Sequence, residues 1–158
     1  MRYFNSFGDR VPRVAQLEKS VLLEHSAREM FDLVNDVDNY PAFLPWCGGA
    51  GVKSLGAQDR IAHVEIDFHG VRHRFSTRNH IDPPHRIEMR LHDGPFSHLD
   101  GSWRFISLAE NACKIEFRLH YTFSSKILEK AIGPVFSHIT GSFVEAFVRR
   151  ADQVYGPA

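Results

Sequence analysis

Cysteine is scarce: the chain has two in 158 residues, Cys47 and Cys113, and they form neither a CxxC pair nor a zinc-ligand spacing. A disulfide framework is thereby excluded, and both thiols are read as reduced and structural. Net charge is missing too, with 19 Lys and Arg against 19 Asp and Glu. That balance argues against a protein whose main grip on nucleic acid is non-specific phosphate neutralisation. No apolar run approaches the roughly 20 residues needed to span a bilayer, and the start of the chain lacks the apolar core of a secretory signal. The expectation is a protein that stays where it is made, in the cytoplasm. Gly-x-Ser-x-Gly is absent, and His138 with Gly141 and Ser142 falls in an apolar helical pattern rather than at a strand-to-helix elbow. Inward-facing paired carboxylates are not evident. The ten histidines supply no metal motif. His69 and His73 fall on a turn and a strand with no accompanying Glu, and His63, His80, His98 and His120 read as solvated strand positions. Neither catalytic residues nor a metal site are expected.

What is present is an ordinary globular composition, 43% hydrophobic and 24% charged. At this length one domain is expected, burying about 68–70% of the unfolded surface. Residues 1–12 show no periodicity and read as a mobile leader, and the domain runs over residues 13–156. Val14, Leu17, Val21 and Leu23 suggest a first strand with one irregularity. Ser26 and Glu29 form a capping-box pattern ahead of Met30, Phe31, Val34 and Val37, the apolar stripe of a short helix. A second, shorter helix follows in the proline-rich segment.

That segment, Val34 to Cys47, reads VNDVDNYPAFLPWC. Pro41 and Pro45 remove backbone donors and restrict the residues before them, so no long helix runs through. Tyr40, Phe43, Leu44 and Trp46 then form either the rim of a pocket or a buried connector between helix and sheet.

Beyond Cys47 the period becomes two. Ala62, Val64, Ile66 and Phe68 alternate with polar residues up to His69-Gly70, and Val71, His73, Phe75 and Thr77 resume the apolar side. A two-residue x-Gly loop between such runs predicts a tight hairpin. It places Phe68 opposite Val71, Ile66 opposite His73, Val64 opposite Phe75, and the opposite charges Asp67–Arg72 and Glu65–Arg74 face to face. Ile87, Met89 and Leu91 alternate after Pro83-Pro84. Trp103 and Phe105 follow Gly101, and Cys113 to Phe123 alternate cleanly. Ser124 or Ser125 caps a last long helix carrying Leu128, Ile132, Phe136, Ile139, Phe143 and Phe147 at helical spacing, which Gly133-Pro134 is expected either to bend or to divide into a first piece and the main helix. The order is one strand, two short helices, six strands and a long helix. The fold class is α+β, a curved antiparallel sheet of about seven strands wrapped on a C-terminal helix.

Large inward rings across a concave sheet either pack solidly or leave an apolar cavity. Candidate lining residues are Phe43, Leu44 and Trp46 from the proline-rich segment, and Phe68, His73, Phe75, Thr77 and Asn79 from the hairpin. Met89, Leu91, Phe96, Trp103 and Phe105 come from the middle strands, Phe117 and Leu119 from the last one, and Phe136, Ile139, Phe143 and Phe147 from the helix. His73, Thr77 and Asn79 either orient a polar head group or pair with one another. Arg72, Arg74 and Arg78 alternate on the outward face, as part of a mixed solvated surface or as a patch for RNA or acidic lipid.

Four segments in register carry a family resemblance: VNDVDNYPAFLPWC, FSTRN at Phe75 to Asn79, DGPF at Asp93 to Phe96, and FVEAFVRRADQVYG at Phe143 to Gly156. Together they resemble the START-like coenzyme-Q-binding proteins and their bacterial relatives, the RatA-type ribosome association toxins. The resemblance implies a helix-grip (START/Bet v 1-like) fold with a ligand cavity. It puts first a non-catalytic monomeric carrier of an isoprenoid ligand, ubiquinone or another polyprenyl quinone, with no required cofactor, supporting respiration with transient contact at the inner-membrane surface. Second comes a toxin that binds the large ribosomal subunit and blocks subunit association. Third is a polyketide aromatase/cyclase-like enzyme.

Overall fold

The computed structural model describes residues 12–156. Apart from Pro12, the leader expected over residues 1–12 lies outside them. Seven antiparallel strands make one sheet in the order β1-β7-β6-β5-β4-β3-β2. They are β1 (Ala15–Leu23), β2 (Cys47–Ser54), β3 (Asp59–Phe68), β4 (Val71–Asp82), β5 (Arg86–Asp93), β6 (Phe96–Ala109) and β7 (Ala112–Phe123). Helix α1 (Ala27–Asn35) and a 3-10 helix (Val37–Ala42) follow β1, and α2 (Lys126–Gly141) and α3 (Phe143–Tyr155) close the chain. The core lies between these helices and one face of the sheet, which is the helix-grip arrangement expected from the sequence.

Local signals explain the elements. The Ser26 hydroxyl accepts the Glu29 amide while the Glu29 carboxylate accepts the Ser26 amide, so two N-terminal donors of α1 are satisfied at once. In β7, Cys113, Ile115, Phe117, Leu119, Tyr121 and Phe123 are all buried and the residues between them are not, the period-two pattern of a strand with one wet face. The β3–β4 hairpin has the predicted register, with Phe68 opposite Val71 and Glu65 opposite Arg74. His69 and Gly70 turn at φ 50° and 81°.

Gly70 has open space around its Cα, so a side chain there meets strain and no clash. Gly70→Val is therefore expected to destabilise the domain by about 1–2 kcal/mol, the cost of left-handed backbone, and an unchanged melting temperature would count against the turn. Gly101→Ala should be worse. A Cβ at Gly101 would lie 2.7 Å from the Arg118 carbonyl oxygen, so the β6 and β7 backbones would have to separate.

Three expectations are corrected. The first strand is regular: β1 pairs residue for residue with β7 from Ala15–Tyr121 to Leu23–Cys113. The interrupted pattern comes from Lys19, which occupies an inward position and reaches Glu145 of α3 at 3.0 Å, and from Val14, which precedes the strand and is exposed. Strand β6 begins at Phe96 rather than after Gly101, because the glycine serves the close approach just described. The terminal helix is two helices. Their 42° bend falls at Ser142, while Pro134 sits inside α2. Gly141 has weak helix propensity, and the Ser142 hydroxyl donates to the carbonyls of His138 and Ile139, offering the backbone an alternative to continuing straight.

Candidate functional site

Between sheet and helices lies a cavity of ≈ 90 Å³. Its floor is inward strand positions. Ala62, Val64 and Ile66 come from β3, Phe75, Thr77 and Asn79 from β4, and Met89 from β5, while Leu99, Trp103, Phe117 and Leu119 come from β6 and β7. Its roof is Phe136, Ile139 and Thr140 of α2 and Phe143 of α3, and Val37, Tyr40 and Trp46 close the end beside the 3-10 helix.

Eleven of the sequence candidates meet here: Trp46, Phe75, Thr77, Asn79, Met89 and Trp103, with Phe117, Leu119, Phe136, Ile139 and Phe143. Eight do not. Leu44, Phe96, Phe105 and Phe147 are buried but packed solid against neighbouring rings, Phe105 against Phe31 and Phe147 against Tyr40 and Phe43. Phe43 lies under the Arg150 guanidinium at 5.1 Å. Phe68 stacks on His138, and His73 and Leu91 sit half-buried on their strands away from the cavity. The physical reason is depth along the strand. A shared face puts the strand residues among them on the inward side, but only the middle rows lie under the bend of the helices.

Alternation alone missed Val37, Ala62, Val64, Ile66, Leu99 and Thr140 as wall residues, although Ala62, Val64 and Ile66 carry that signal in plain view. Tyr40 shows that both readings of the proline-rich segment hold. The ring is buried in the connector, its hydroxyl donates to the Val34 carbonyl at 2.6 Å, and its face forms cavity wall. That bond satisfies an orphan carbonyl at the end of α1.

The wall is almost wholly apolar. Its one ionisable group is the Tyr40 phenol, and burial pushes that phenol well above its ordinary range, so it stays neutral. Thr77 Oγ1 donates to Asn79 Oδ1 at 2.6 Å, so the two polar residues satisfy one another. Cys47 and Cys113 are free and buried, and burial pushes the Cys113 thiol up to about 11. Such thiols are poor nucleophiles. Among the described residues no group of three or more His, Cys, Asp or Glu could hold a metal ion, and no single helix is long and apolar enough to cross a membrane.

The outward face carries arginines on four neighbouring strands. Arg72, Arg86 and Arg104 meet Asp67, Glu88 and Glu116 at 3.9, 3.4 and 3.2 Å. Arg74, Arg78, Arg90 and Arg118 form no ion pair among the described residues. Arg74 lies opposite Glu65 in register, but Arg78 lies opposite Arg90, a like-charge pair that costs stability.

Known proteins resemble this chain over most of its length. The ribosome association toxin RatA of Vibrio cholerae is 46% identical over 141 residues, covering 89% of this chain and 98% of that one. RatA of Escherichia coli is 40% identical over 140 residues, covering 89% of each. The mitochondrial coenzyme Q-binding protein COQ10 homolog B of Xenopus laevis is 30% identical over 145 residues, covering 89% of this chain and 59% of that one. Among solved structures, the Zhui aromatase/cyclase from Streptomyces superposes with a TM-score of 0.74 at 16% identity, covering 92% of this chain and all of the other, a likeness of fold. Residues 23–148 match the family described as polyketide cyclase / dehydrase and lipid transport, and with relatives this similar along the whole sheet and its helices, the chain belongs to that START-like family.

Proposed function

We propose that this protein associates with the large ribosomal subunit and blocks subunit joining, the branch that the sequence motifs ranked second. The observation that carries this reading is identity of 46% and 40% along nearly the whole of two proteins named ribosome association toxins, against 30% for the coenzyme Q-binding relative. Cavity size points the same way. A volume of ≈ 90 Å³ is well below the roughly 300–1,000 Å³ of small-molecule sites, so carriage of a long tail requires the helices to open. The unpaired arginines of the outward face supply cations for RNA phosphates, and ribosomes put this activity in the cytoplasm. The test is sedimentation of the purified protein with separated ribosomal subunits. It is expected to travel with the large subunit and to reduce the yield of joined particles. A protein that stays at the top of the gradient with subunits present retires the reading.

A second reading is favoured by the apolar wall with its single polar pair and by the coenzyme Q-binding relative: a neutral isoprenoid molecule, a polyprenyl quinone among them, enters the cavity. The two readings use opposite faces of the sheet and are compatible in one monomer. Both are non-catalytic. The wall offers no nucleophile paired with a base, and its one ionisable group is held neutral.

A further inference from the structure

The outward face of the sheet holds a polar groove of ≈ 580 Å³ that crosses β1, β7, β6 and β5. Ser102 of β6 stands in register between Arg118 of β7 and Glu88 of β5, so a short hydroxyl side chain sits among long charged ones. One row along, Asp100 lies opposite Arg90 of β5, which in turn faces Arg78 of β4. Arg78, Arg90 and Arg118 are exposed and form no ion pair among the described residues, whereas Arg86 is answered by Glu88 at 3.4 Å. Cations and acceptors therefore alternate across the groove. Rings are missing from it. Every Phe, Tyr and Trp of the seven strands is buried in the core or packed against it, on the other face. A surface built only to neutralise phosphates would gain nothing from Glu88 and Asp100, which repel them.

We infer that this groove holds the sugar-phosphate surface of an A-form RNA duplex, the exposed arginines taking phosphates while Ser102 and Glu88 accept hydrogen bonds from ribose 2′-hydroxyls. This rests on the ribosome reading and names the form of RNA that such a contact takes. Phosphate oxygens are acceptors only and match arginine. The 2′-hydroxyl is a donor as well as an acceptor, and a carboxylate beside an arginine meets that donor while its neighbour meets the phosphate. Double-stranded RNA presents both groups together in its wide, shallow minor groove, so a face without rings can hold it by shape. A single strand offers unstacked bases instead, and the groove has no Phe, Tyr or Trp on which to stack them. B-form DNA brings the phosphates without the donor and faces the same carboxylates. The charge balance of the chain, 19 against 19, fits this division of labour, because phosphate attraction alone grips weakly and hydrogen bonds set the preference.

Binding of the full-length protein is read by fluorescence anisotropy with labelled probes of one mixed sequence: an RNA duplex, the same duplex with 2′-O-methyl riboses, which keeps the helix geometry but not the donor, a DNA duplex, and one RNA strand alone. The parent is expected to bind the RNA duplex about tenfold or more tighter than the other three, since one hydrogen bond to a charged group carries about that factor. Excess RNA duplex should also release the protein from the large ribosomal subunit in a gradient, and the DNA duplex should not. Glu88→Ala separates this contact from simple charge attraction. It removes a carboxylate and frees Arg86, which on a merely basic patch would tighten RNA and DNA together. Here it should tighten DNA and bring the RNA-to-DNA ratio towards unity, most fully in the double variant Glu88→Ala, Ser102→Ala. Glu88→Gln, which keeps an acceptor, should retain part of the preference. A parent that travels with the large subunit but binds the 2′-O-methyl duplex or the single strand as tightly as the RNA duplex overturns the inference and leaves the ribosome reading standing. A double variant with the parent's RNA-to-DNA ratio does the same. A parent that binds no probe and stays at the top of the gradient overturns both.

Discussion

Phe143→Asp is expected to remove a large part of the stability of this domain. Phe143 opens α3, lines the cavity and lies within ring contact of Tyr40, Trp46, Trp103, Phe117 and Phe147, at centroid distances of 5.1 to 6.2 Å. Truncating such a ring costs about 3–5 kcal/mol, and a carboxylate among aromatic faces adds a desolvation penalty with no partner to offset it. One term opposes the loss. An acid in the first turn of a helix gains about 0.3–1 kcal/mol from the helix dipole, too little to change the sign. Against a typical total of about 5–15 kcal/mol, the variant should unfold at markedly lower urea, read from the fluorescence of Trp46 and Trp103. The fraction still folded should no longer bind a decyl-substituted benzoquinone, the soluble probe of the proposed isoprenoid-quinone site. Arg74→Ala on the wet face is the control and should leave both unchanged. A midpoint equal to the parent's, with quinone binding intact, would show that Phe143 is not part of a packed apolar site.

Reversing the outward charge should abolish ribosome association. Arg74, Arg78 and Arg90 stand on adjacent strands β4 and β5, make no ion pair among the described residues, and two of them face one another across the ladder. Like charges in register repel, and Glu at all three positions replaces the Arg78–Arg90 pair with another like-charge pair and adds two new ones, Arg74→Glu opposite Glu65 and Arg90→Glu opposite Asp100, on an exposed face where each costs only a fraction of a kcal/mol. Phosphate binding, in contrast, would meet three repulsive groups in place of three attractive ones. The triple variant is expected to remain folded and to stay at the top of a gradient that carries the parent with the large subunit. In single Arg→Ala variants, each lost phosphate contact should flatten the salt dependence of binding by about 0.7–0.9 in the log–log slope. A folded triple variant that co-sediments as the parent does would move the contact to another surface. Arg72 is left out because Asp67 already neutralises it.

The four motifs are shared by carriers and toxins, so they fixed the family and left the branch to overall identity, which favours the ribosome-associated relatives.

Periodicity carried the architecture. Alternation at Ala62–Thr77 and Cys113–Phe123, the His69-Gly70 turn and the Ser26–Glu29 box are local signals, each set by backbone geometry within a few residues, and each appears in the structure with the register the sequence implies. Which inward residues face a cavity was not local. Phe105 and Phe117 obey the same rule of alternation, yet Phe105 packs solid against Phe31 while Phe117 borders empty space, because the bend at Ser142 decides where the roof stands off the sheet. The sequence put that break at Gly133-Pro134, and hydroxyl-to-carbonyl bonding at Ser142 moved it eight residues on. Arg60 was invisible for the same reason. In sequence it is one polar residue before an alternating run. Its opposition to Asn79 and the burial of its Nε arise only when β3, β4 and the end of α1 come together. Sequence thus determined which faces are apolar and in what order the elements come, and tertiary packing decided where the faces fail to touch and which buried donor is left without a partner.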